Sequence, residues 1–125
     1  MLADAHETIL ARVRTVLGDD FEIVGAVGNG YDAVSETQRL DPDVLIIDIC
    51  MPALDGLQAA RRLQSQNARA RLVFLTVHED PDFVSAAFSA GASAYVAKSR
   101  ATTDLVPAVR AAVEGQRYIS QSIPT

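Results

Sequence analysis

Residues 42–56 read PDVLIIDICMPALDG, and the fold turns on how this stretch is read. Val44–Ile47 form a short apolar run that ends abruptly at the acid Asp48. An apolar run without polar alternation suits a strand covered on both faces, as in a parallel sheet. Phe21–Ala26, Leu72–Leu75 and Ala94–Ala97 have the same character. Between them Ile9, Leu10, Val13, Val16 and Leu17, and then Phe83, Val84, Ala87 and Phe88, keep helical spacing with one apolar stripe. Further helices are predicted over 31–40, 54–66 and 103–114. Strand and helix therefore alternate, which predicts a doubly wound α/β fold with right-handed crossovers.

Local signals agree with that alternation. Asp32 and Asp82 fall in first turns, Thr102 or Thr103 is placed to cap the last helix, and Gly91 and Gly115 follow helix ends. Pro107 is expected near the start of the last helix, where it costs at most one backbone bond. Only Met1, Leu2 and Ala3 precede Asp4, so the first strand is short, frayed or continued upstream. Gln116–Thr125 lacks periodicity and reads as a tail or truncated linker after a single domain at 1–115.

At 125 residues, 49% hydrophobic and 22% charged, the chain has the composition of one globular domain. A net charge of −5 argues against nucleic-acid binding by this segment, which needs a surplus of Lys and Arg. The single Cys50 cannot form an internal disulfide, and no run of about 20 apolar residues suggests a membrane span. The expected compartment is the cytoplasm.

In an open parallel sheet, ligands bind beyond the carboxyl ends of the strands. The residues ending the runs are Asp4, Asp48, Thr76 and Lys98. Two acids, a hydroxyl and an ammonium on one edge are suited to a hard cation and a phosphoryl group together. Asp48 is then the nucleophile, since an ionised carboxylate attacks without a general base and the product is an aspartyl phosphate.

The stretches PDVLIIDICMPALDG, LVFLT and AGASAYVAK resemble the response-regulator receiver domain (CheY-like) along essentially the whole chain. LADAH, LTVHED and EGQRYIS further resemble its NarL/FixJ (LuxR-type) subfamily, whose members usually carry a C-terminal helix-turn-helix output domain. The resemblance implies a flavodoxin-like five-stranded parallel sheet, order 2-1-3-4-5, with five helices. It implies Asp48 as phosphoacceptor and Mg²⁺ held by Asp4, Asp48 and the Cys50 backbone carbonyl. Thr76 and Lys98 then bind the phosphoryl group, and Tyr95 stands at the aromatic switch position. The implied partners are a histidine kinase or phosphotransfer protein and a second copy in a homodimer, with no membrane contact. The implied role is a phosphoprotein switch in transcription regulation, not an enzyme, catalysing at most its own phosphorylation and dephosphorylation.

The chain departs from the family pattern at Ala5, where a second acid normally follows Asp4 and usually ligates the metal directly. The expectation is weak Mg²⁺ binding and slow phosphorylation. A rival reading follows: a degenerate receiver that keeps the fold and uses its switch face for phosphate-independent docking or dimerisation. Ser99, in place of a frequent proline after the lysine, carries little weight. An FMN-binding flavodoxin would need hydroxyls and glycines in the first loop, where Asp4 and Ala5 stand.

Plainer readings stand beside these. Tyr95 on a buried strand serves packing in most proteins. His6 and His78 read as cap-region and loop residues, having no cysteine or histidine partner at zinc spacing. The glycines of Gly25-Ala26-Val27-Gly28-Asn29-Gly30 have the wrong spacing for a dinucleotide fingerprint and read as a loop entering a helix.

Overall fold

A computed structural model describes residues 1–123. In chain order the elements are β1 (Leu2–Ala3), α1 (Glu7–Leu17), β2 (Ala26–Val27), α2 (Gly30–Leu40), β3 (Val44–Ile47), α3 (Gly56–Ser65), β4 (Arg71–Thr76), α4 (Pro81–Ser89), β5 (Ala92–Ala97), α5 (Ala101–Val113) and β6 (Tyr118–Ile119). The strands form one parallel sheet in the order β2-β1-β3-β4-β5-β6. The flavodoxin-like layering expected from the sequence is present.

The unbroken apolar runs arise because both faces of the sheet are covered. Leu45, Ile47, Leu72, Phe74, Tyr95 and Ala97 point into one core with Ala33, Ala59, Leu63 and Ala87 of α2, α3 and α4. The alternate residues Ile46, Val73, Leu75, Ala94 and Val96 point into the other with Leu10, Val13, Leu105 and Val109 of α1 and α5. Each large aliphatic side chain so buried contributes about 1.5–3 kcal/mol. A one-residue slip in any central strand would exchange the two sets.

Four expectations need correction. The sheet has six strands, not five, and β6 comes from the segment read as a tail. Ser120, 1% exposed, fastens it: its N–H donates to the Tyr95 carbonyl at 3.0 Å, and its Oγ accepts from the Ala97 N–H at 3.1 Å. The serine that suggests a linker thus satisfies the end of β5. The second strand is Ala26–Val27 rather than Phe21–Ala26, because its neighbour β1 offers only two residues to pair with. Neither Thr102 nor Thr103 caps α5. A short turn at Lys98–Arg100 starts the helix at Ala101, so both threonines lie inside the first turn and Thr103 Oγ1 donates back to the Arg100 carbonyl. Pro107 is consequently interior to α5.

Candidate functional site at the carboxyl edge of the sheet

Strand register assembles the site. Ala3 pairs with Ile47, so the next residues, Asp4 and Asp48, emerge side by side. Thr76 pairs with Ala97, which sets Lys98 one step beyond. Asp4 and Asp48 are 5% and 4% exposed, and Thr76 is fully buried. Lys98 bridges the acids, its Nζ 2.8 Å from Asp4 Oδ2 and 3.0 Å from Asp48 Oδ2. Burial alone would depress the lysine pKa, but the bonds to Asp4 and Asp48 outweigh it and hold it above the ordinary value.

The loop after β3 is fixed by Asp55 and Gly56. The Asp55 carboxylate accepts from the Gln58 N–H at 2.8 Å while the Gln58 side chain returns to the Asp55 N–H, closing a capping box at the start of α3. Gly56 donates to the Ile49 carbonyl at 2.7 Å, and a methyl at Gly56 would overlap the Asp48 carbonyl oxygen. The DG pair of the opening stretch therefore sets where Asp48 sits.

Tyr95 is fully buried, 6.3 Å from Phe74 in a stacked pair, and its hydroxyl donates to the His78 carbonyl at 2.7 Å. Burial, reinforced by the charge of Asp48, raises the phenol pKa well above its ordinary value, so it remains a donor. The His78 N–H donates in turn to Thr76 Oγ1 at 3.2 Å. Thr76 and Tyr95 thus hold the same loop residue from two strands.

Two contacts escape sequence reasoning. His78 Nε2 lies 3.0 Å from Cys50 Sγ, and its ring stacks 4.3 Å from Phe83, so the histidine has a cysteine partner that spacing along the chain did not reveal. His6 folds back on Asp4: its N–H donates to Asp4 Oδ1 at 2.9 Å and its Nδ1 lies 3.1 Å from the same oxygen. Ligand atoms of Asp4, His6 and Asp48 all fall within 4.8 Å of one another. The Asp-x-His spacing ahead of α1 was the available signal. The exposed Ala5 offers no donor between them. Two carboxylates and an imidazole can hold a divalent cation, but they fall short of an all-oxygen set by the acid that Ala5 lacks.

Two buried acids, a lysine and a threonine thus share the carboxyl edge of a doubly wound parallel sheet, and comparison with known proteins identifies the family. The family model described as "Response regulator receiver domain" matches residues 1–110, and the chain belongs to that family. It is 34% identical over 98% of its length to the response regulator UvrY of Escherichia coli K12, and 32% identical over 98% to GacA of Pseudomonas aeruginosa. It spans only 57% and 58% of those relatives. Among solved structures it is similar to a LuxR-family two-component response regulator from Aurantimonas sp. SI85-9A1, with TM-score 0.92, 30% identity, and 98% and 89% of the two chains covered. The isolated receiver domain of RcsB from Salmonella enterica serovar Typhimurium gives TM-score 0.88 at 26% identity, with 98% and 92% covered. The chain is thus the receiver domain of a two-component response regulator of NarL/LuxR type. Among the described residues no helix is long and apolar enough to cross a membrane.

Proposed function

We propose that Asp48 accepts a phosphoryl group from a histidine kinase or phosphotransfer protein and that Thr76, Lys98 and Tyr95 relay its presence. The reading is carried by the buried Asp48 carboxylate with the Lys98 ammonium 3.0 Å away at the end of β3. An Asp48 oxygen attacks phosphorus, the P–N bond of the donor phosphohistidine breaks, and the imidazole leaves with the bonding pair. Lys98 turns from the carboxylates to a phosphoryl oxygen, and the Thr76 hydroxyl donates to another. Mg²⁺, held weakly by Asp4, Asp48 and the Cys50 carbonyl, would neutralise charge on the transferring group. Support from a relative comes from the RcsB receiver domain, solved in the presence of the phosphomimetic BeF3⁻.

Bonds from Thr76 pull on the loop that Tyr95 also holds, so the signal leaves through α4, β5 and α5. Moving such an element from mostly inactive to mostly active takes on the order of 5 kcal/mol of differential interaction. The output is a DNA-binding domain outside this chain, and the homodimer is the regulated state. The domain works in the cytoplasm and is a phosphoacceptor rather than an enzyme acting on separate substrates. Incubation with a small phosphodonor and Mg²⁺, followed by intact mass, tests this. One phosphoryl adduct is expected on the wild type and none on Asp48→Asn; an unmodified wild type would sink the reading.

Ala5 favours a second reading, a receiver whose switch face docks partners without phosphate. An unmodified wild type with an intact dimer or partner complex is its signature.

A further inference from the structure

We propose that His6 supplies an imidazole ligand to the cation site of Asp4 and Asp48, so that the site takes an imidazole-preferring transition ion such as Co²⁺ ahead of Mg²⁺. The inference rests on the proposed reading of this edge as a cation-assisted phosphoacceptor site.

Ligands at about 2.1 Å from one six-coordinate ion lie about 3 Å apart when adjacent and about 4.2 Å apart when opposite. His6 Nδ1 is 3.1 Å from Asp4 Oδ1, and the Asp4, His6 and Asp48 ligand atoms lie within 4.8 Å of one another. Small side-chain rotations bring all three onto one ion. The ring is free for this: it is 66% exposed and makes no capping bond to α1, although His6 holds the capping position. The Asp4 carboxylate accepting the His6 N–H at 2.9 Å keeps the residue turned toward the acids.

Charge points the same way. Lys98 already compensates one of the two buried carboxylates. A neutral imidazole adds a donor without the repulsion a third acid would bring. The exchange of an oxygen ligand for a nitrogen one changes preference, since imidazole binds Co²⁺, Ni²⁺ and Zn²⁺ well and Mg²⁺ poorly.

Titration calorimetry of the full chain with Co²⁺ and with Mg²⁺ tests the proposal, in a Cys50→Ser background so that the Cys50–His78 pair does not take the ion. Co²⁺ is expected to bind at least about tenfold tighter than Mg²⁺, and His6→Ala to lose at least about tenfold in Co²⁺ affinity while Mg²⁺ affinity stays within about twofold. Asp48→Asn should weaken both ions, locating them at this edge. Equal Co²⁺ affinity with and without His6 overturns the proposal, as does a parent that binds both ions alike. The phosphodonor assay keeps the two readings apart. An adduct on Asp48 together with Co²⁺ binding indifferent to His6 removes the ligand role alone. His6-dependent Co²⁺ binding without an adduct upholds the ligand and removes the phosphoacceptor.

Discussion

The Tyr95 hydroxyl donates a 2.7 Å hydrogen bond to the carbonyl of His78, spanning 17 residues and joining β5 to the loop after β4. The same loop is held by Thr76 Oγ1, by Cys50 Sγ and by the Phe83 ring. Thr76 and Tyr95 therefore meet at the backbone of His78, one through its N–H and the other through its carbonyl.

Tyr95→Phe removes one of those restraints and leaves the packing against Phe74 intact. The expected loss of stability is about 1 kcal/mol, the net worth of one neutral hydrogen bond. Hydrogen exchange should show faster amides at residues 77–80 with little change in β3. Unchanged protection of that loop would show that Thr76, Cys50 and Phe83 suffice to hold it.

Asp104 makes the stability pH-dependent. Burial alone would raise its pKa, but hydrogen bonds from Arg100, Ser120 and Thr103 outweigh that and hold it below the ordinary value. Its contribution is thus complete above the unfolded carboxylate value of about 3.9 and is lost as pH falls through the lower folded value. Asp104→Asn should be less stable than wild type near pH 7, and the gap should narrow on acidification below about pH 4. Denaturant melts across that range check the sign; a gap that widens in acid would contradict it.

Ser120→Ala leaves the buried Ala97 N–H without its acceptor, at a cost of about 1–3 kcal/mol. Truncation after Gly115 removes β6 and the buried Ile123 as well, and should cost more. A linker would lose nothing. Thermal melts of the two variants against wild type distinguish a sixth strand from a dispensable tail.

The alternation of elements and the four strand-end residues were legible in the sequence because each rests on local pattern: apolar runs, helical stripes, and a polar residue where a run stops. What was not legible depends on partners distant in the chain. β6 is two residues long, too short for any period, and is defined by Ser120 meeting Ala97. The length of β2 is set by β1. Thr102 and Thr103 lost their capping place to the turn at Lys98–Arg100, which starts α5 at Ala101. The Cys50–His78 contact spans 28 residues and exists only because β3 and β4 are neighbours.

Ala5→Asp decides how much of the phosphoacceptor chemistry the missing acid controls. Position 5 is exposed and follows Asp4 directly, so a carboxylate there reaches the cation from solvent without repacking the core. A further charged oxygen ligand should raise Mg²⁺ affinity at least about tenfold, equivalent to about 1.4 kcal/mol. Added negative charge beside Asp4 and Asp48 should also lower stability in metal-free solution, where Lys98 is left facing three acids. Adding Mg²⁺ should then restore stability more in Ala5→Asp than in wild type, and phosphoryl adduct on Asp48 should accumulate faster. Melts with and without Mg²⁺ and timed intact-mass measurements provide the two readouts. If Mg²⁺ affinity rises while the adduct rate does not, the limit on phosphorylation lies in the restrained Thr76–His78–Tyr95 loop rather than in the metal.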